Sequence, residues 1–177
     1  MPLPDTPFLD ALRADCPDLR HAEALQLYGR FVGSWDAAIV DHRTDGRTQH
    51  STAEWHFGWV LQGLAIQDVW IAPTRGTPCA SLPSDYLYRY GSTLRLYEPE
   101  RRQWRITWAD PSLGLYVTQI GRAQGDDIVQ EGRSADGVPV RWSFREIRPD
   151  SFRWLGEVSD DGGASWRLQL EMQARRR

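Results

Sequence analysis

Asp68 is the residue in this 177-residue chain with the most chemical potential, because of its company. It alternates with Ile66 and Trp70 in a stretch of period two, so all three share one strand face. The same alternation collects Trp55, Phe57 and Trp59, then Trp104, Ile106 and Trp108, then Trp142 and Phe144, then Phe152, Trp154 and Val158, then Trp166, Leu168, Leu170 and Met172. Asp68 is the single ionisable side chain on those aromatic faces. A carboxylate among indoles is costly to leave unpaired. It is protonated, paired with an arginine, or held for a ligand; near a strand end it could equally just accept hydrogen bonds from a neighbouring Trp or Tyr. Glu131 shares a face with Val129 and Arg133, and if that face turns inward it supplies a second carboxylate suited to acid–base work. Asp68 and Glu131 are therefore the candidate catalytic residues. Trp55, Phe57, Trp70, Trp108, Trp142 and Trp154 are the candidate ligand contacts, with Tyr88 of the Tyr86, Tyr88, Tyr90 series placed at a cavity mouth.

Other chemistries find little support. His21, His42, His50 and His56 are scattered without the spacing of a metal site. Cys16 and Cys79 stand in unrelated contexts and read as free thiols in a reducing cytoplasm. No phosphate-binding loop or nucleophile motif is present, and no cofactor is expected. A net charge of -3 lacks the basic footprint of a nucleic-acid binder. All 21 basic residues are arginine, which fits a high-GC bacterial genome. The opening Met-Pro-Leu-Pro-Asp-Thr-Pro does not read as a signal peptide, and no apolar run suits a membrane span. Ser159 to Trp166 resembles an Asp-box, but one copy in so short a chain reads as a hairpin turn.

The elements that must position these side chains are mostly strands. Residues 1–18 are Pro-rich and predict an irregular segment, and 19–177 a single domain. Leu19 to Phe31 carries helical spacing. After Gly33 the period turns to two, predicting strands near 34–42, 48–60, 64–72, 86–97, 103–109, 114–123, 127–134, 138–147, 151–159 and 165–175. Turn residues such as Asp45-Gly46, Gly125-Asp126 and Asp136-Gly137 separate them, and the long loop from Pro73 to Asp85 belongs at an open rim. Such a meander closes most easily as an antiparallel up-and-down barrel. A two-residue Asp45-Gly46 turn would turn the tryptophans outward. Burying each aromatic is worth roughly 1.5–3 kcal/mol, more than a preferred turn type, so a longer loop or bulge is expected there. For 114–123 the same reading puts Tyr116, Thr118 and Ile120 inside.

Gly33-x-Trp35 after a short helix, with Arg175 to Arg177 closing the last strand, gives the barrel its ends. The Trp plugs the closed end, and a terminal Arg can lie on its face. With Val32-Gly33-Ser34-Trp35, Trp59-Val60-Leu61-Gln62-Gly63 and the 159–166 hairpin, the chain resembles a bacterial group of lipocalin-like domains in the calycin superfamily. The resemblance runs from about residue 19 to the end and implies the fold, with no shared activity to carry over. Related haem-binding barrels of the nitrobindin type use a late histidine; here none follows His56.

Three functions are compatible with this pattern. The leading one is a cytoplasmic barrel holding a small, largely apolar or aromatic molecule, with Asp68 fixing its polar end. The second is a cofactor-independent isomerase, cyclase or hydratase using Asp68 and Glu131. The third is an interaction domain whose barrel is filled by its own side chains, favoured if no cavity of roughly 300 Å³ exists. Neither nucleic acid nor membrane is an expected partner, and a homodimer is compatible with a sequence that carries no oligomerisation signal.

Overall fold

The computed structural model describes residues 6–177. Helix α1 (Pro7–Leu12) leads into a two-residue strand β1 (Arg13–Ala14), then helix α2 (Ala22–Gly29). Ten strands follow: β2 (Gly33–His42), β3 (Thr48–Val60), β4 (Ala65–Ala72), β5 (Arg89–Glu98), β6 (Gln103–Asp110), β7 (Leu115–Gln124), β8 (Asp127–Ser134), β9 (Pro139–Arg145), β10 (Ser151–Val158) and β11 (Arg167–Arg176). Each pairs antiparallel with the next, and β11 returns to β2, so the sheet closes on itself. The chain has a lipocalin-like up-and-down barrel. Where the sequence predicts an irregular amino-terminal segment, residues 7–14 instead form α1 and β1, the latter extending the sheet beside Trp59 and Val60. The prediction for residues 1–5 lies outside the described residues.

One end is shut by residues the sequence marks. Trp35 is fully buried, and its indole N–H donates to the Phe31 carbonyl at 2.7 Å. The Arg176 guanidinium lies 4.2 Å from the Trp35 ring centroid. It also donates to the carbonyls of Val32 (2.9 Å), Arg30 (2.8 Å) and Pro149 (2.9 Å), tying last strand to first. Gly33 has φ +131°, and a Cβ there would sit 2.7 Å from an Arg176 nitrogen. Tyr28 and Phe31, at the end of α2, complete the plug against Trp104 (4.8 Å) and Phe144 (4.7 Å).

Register decides what faces inward. His42 pairs with Thr48, leaving a five-residue loop 43–47, and Trp35 lies opposite Trp55. The expected longer loop is present, and the faces bearing Trp35, Trp55, Trp70, Trp108, Trp142 and Trp154 point inside. Leu170 and Met172 are inside as expected, but Trp166 and Leu168 are not. The register shifts between Gly156 and Glu157, Leu168 lies opposite Glu157, and the Trp166 ring packs 4.4 Å from the outer-wall Arg141 guanidinium. Strand β7 runs against the sequence expectation: Val117 and Gln119 are buried, whereas Tyr116 is exposed. Gly121 shares the inward face because Tyr28 occupies that space; a Cβ would come within 2.3 Å of its hydroxyl. The Pro73 to Asp85 loop is tethered to the outer wall at Glu54, which accepts from the Arg75 backbone N–H (2.9 Å) and guanidinium (2.7 Å). Those bonds hold the Glu54 carboxyl well below the usual carboxylate range.

Gly33→Ala should lower stability by about 1–3 kcal/mol, because alanine resists that backbone conformation and its methyl displaces Arg176. Urea denaturation checks this, and an unchanged midpoint would refute the closure described.

Candidate functional site

Midway along the barrel, β4 and β5 bring a buried ion pair into an aromatic setting. Asp68 lies opposite Thr93, with Phe57 opposite it on β3. One Asp68 oxygen accepts from the Arg95 guanidinium and the other from the Thr93 hydroxyl at 3.1 Å. The Asp68 and Arg95 side chains are 0% and 1% exposed. Arg95 in turn faces the rings of Tyr28 (5.1 Å), Phe57 (5.5 Å) and Phe144 (5.8 Å). Burial pushes the Tyr28 hydroxyl pKa up, against the opposing pull of Arg95. Towards the closed end from this pair, the barrel is filled with aromatic side chains.

Towards the open end lies a chamber of about 170 Å³. Five indoles ring it. Successive centroids are 6.5 Å apart for Trp55–Trp70, 5.7 Å for Trp70–Trp108, 6.2 Å for Trp108–Trp142, 5.5 Å for Trp142–Trp154 and 6.3 Å back to Trp55. Thr93, Arg95 and Met172 line its inner side, and Leu87, Leu113 and Leu115 its mouth. Arg89 and Asp110 also line it; Arg89 pairs with buried Asp41 and sits 5.6 Å from the Trp70 ring. Asp110 is 1% exposed. One of its oxygens accepts from the Ser112 backbone N–H at 2.9 Å and from the Ser112 hydroxyl, while the other is buried without a partner. The indole N–H groups of Trp55 and Trp70 are likewise buried and unpartnered.

The predicted site residues divide accordingly. Trp55, Trp70, Trp108, Trp142 and Trp154 come together around the chamber. Phe57 lies deeper, under Arg95. Tyr88 is 47% exposed, packs edge-on to Tyr86 and does not line the chamber. Strand β5 starts only at Arg89, so the tyrosine series shares no continuous strand face. Glu131 is exposed on the outer wall opposite Arg141, because buried Gln130 takes the inward position of β8. Asp68 and Glu131 therefore do not form a pair. Nor is Asp68 the single ionisable group inside: Asp41, Arg89, Arg95 and Asp110 join it. No group of three or more potential metal ligands occurs among the described residues.

This barrel is similar to two solved structures over nearly its whole length. Rv2717c from M. tuberculosis shares 18% identity, covering 88% of this chain and 98% of its own, with a TM-score of 0.62. The S-type phycobiliprotein lyase CPES from Guillardia theta shares 13%, covering 91% and 98%, with a TM-score of 0.60. At such identities the likeness establishes the lipocalin-like fold alone. No family model and no curated protein matches the sequence.

Asp68→Leu strands the Arg95 charge and should cost about 3–5 kcal/mol. Adding Arg95→Met should recover most of it. Denaturant titration of the single and double variants checks this; a single variant within about 0.5 kcal/mol of the parent would remove the pair from its structural role.

Proposed function

We propose that the barrel binds a small, largely apolar or aromatic molecule within the five-indole ring. The observation that carries this reading is the chamber itself: five tryptophans surround open space instead of filling it. Aromatic side chains pack well against each other when they can, and interiors carry few voids of this size. Its volume narrows the ligand. The chamber falls short of the roughly 300 Å³ at which drug-sized sites begin, but an apolar cavity of roughly 150 Å³ accepts a molecule such as benzene. A single-ring compound is the fitting size. The filled-barrel alternative describes the closed half, where the rings of Tyr28, Phe31, Phe144 and Phe152 pack against one another at centroid distances of 4.7 to 6.0 Å.

The polar lining gives such a ligand an orientation. Trp55 and Trp70 offer N–H donors, and Asp110 offers an acceptor, without internal partners to compete. Asp68, whose two oxygens are already engaged by Arg95 and Thr93, is an anchor for Arg95 in this reading and not a ligand contact. The same engagement, with Glu131 outside, removes support from acid–base catalysis by those two carboxylates. We further place the chain with the bacterial lipocalin-like group whose Val-Gly-x-Trp motif it carries. A reducing cytoplasm fits two exposed free cysteines, Cys16 and Cys79.

Titration with p-cresol, followed through the indole N–H resonances of the nitrogen-15 labelled protein, tests the binding. Trp55 and Trp70 should shift saturably while Trp35, bonded to Phe31, stays in place. Unmoved Trp55 and Trp70 resonances up to the solubility limit of p-cresol would refute the reading.

A further inference from the structure

We propose that the ligand is a cation: a small aromatic amine whose ammonium group is held by Asp110 while its ring lies among the indoles. The inference rests on the binding role proposed above and names the chemical class. Its basis is a charge imbalance within the lumen. Among the described residues, the open half holds the carboxylates of Asp41, Asp68 and Asp110 against the guanidiniums of Arg89 and Arg95. Arg89 is engaged by Asp41 and Arg95 by Asp68, which leaves Asp110 without a cation.

Asp110 is almost fully buried, and Ser112 satisfies just one of its oxygens. The other is an unpartnered acceptor in a residue that lines the chamber. An ionised carboxylate in such a place carries a large desolvation cost unless a counter-charge arrives. An ammonium group supplies that charge and donates a charge-assisted hydrogen bond. The walls favour the same ligand. Indole faces attract cations most strongly of the aromatic side chains, and more so where water is excluded. An anionic ligand would meet the opposite situation: Arg89 and Arg95 are already neutralised, and Asp110 would repel it.

Three probes of matching size separate the possibilities. Phenethylamine, 2-phenylethanol and phenylacetate carry a positive, neutral and negative group on the same ring and two-carbon scale. Calorimetric titration near neutral pH should rank them in that order, with the amine favoured over the alcohol by about tenfold or more, the scale of a charge-assisted contact. Asp110→Asn should abolish that advantage, bringing the affinities for phenethylamine and 2-phenylethanol to within about twofold of one another. Should the variant fail to fold, the ranking on the parent protein still decides. If the alcohol or phenylacetate binds as tightly as the amine, the cationic assignment is overturned and the binding role stands. If none of the three binds, both fall.

Discussion

A guanidinium buried at the centre of an aromatic barrel is the constraint on which the rest of this structure depends. Arg95 has almost no contact with water and must find its compensation inside. Asp68 supplies the charge, and three aromatic faces supply the remaining surroundings. Taking two such ions out of water costs several kcal/mol each before their attraction returns it. An ion pair in this position is therefore weak evidence of added stability. What it does is divide the lumen. The closed half packs as a solid aromatic core, and the open half begins where the charged pair ends.

The closed end depends on a second guanidinium used differently. Arg176 stacks on Trp35 and donates to three carbonyls, which joins the final strand to the helix–strand junction that starts the barrel. With that end shut and the middle occupied, access to the chamber runs past the opposite rim, where Leu87, Leu113 and Leu115 stand. The tryptophan ring lies between rim and ion pair. Its five members come from β3, β4, β6, β9 and β10, so closure of the whole sheet is needed to assemble it.

Much of this was legible in the sequence, for a physical reason. Strand alternation is strict, and each indole on a strand reports the face that must be buried. Hence the ten strands, the inward tryptophans of β2 to β10 and the Trp35–Arg176 closure could be read directly. Trp166 could not, because the register shift between Gly156 and Glu157 breaks the alternation beside it. Strands whose apolar residues sit on the outer wall were misleading. In β5, Leu94 and Leu96 suggest the wrong face and hide Arg95, while Leu96 is exposed. In β7, Tyr116 and Ile120 do the same, because the inward position at Gly121 is empty by necessity, filled from α2 by Tyr28. Asp110 was missed differently: it continues the Trp104, Ile106, Trp108 face by one step, and the predicted strand stopped a residue short. Asp41 lay within the predicted strand 34–42, where it continues the Trp35, Ala37, Ile39 face by one step. The unpaired oxygen on Asp110 had no sequence signal, since it follows from which cations are already taken.

The open half of the barrel is an apolar-walled chamber and not core packing. Diffraction from crystals of the protein under xenon pressure tests it most directly, because xenon enters empty apolar cavities and is easily located. Xenon is expected within the ring of Trp55, Trp70, Trp108, Trp142 and Trp154. Indoles collapsed onto one another across the lumen, with no xenon between them, would contradict it.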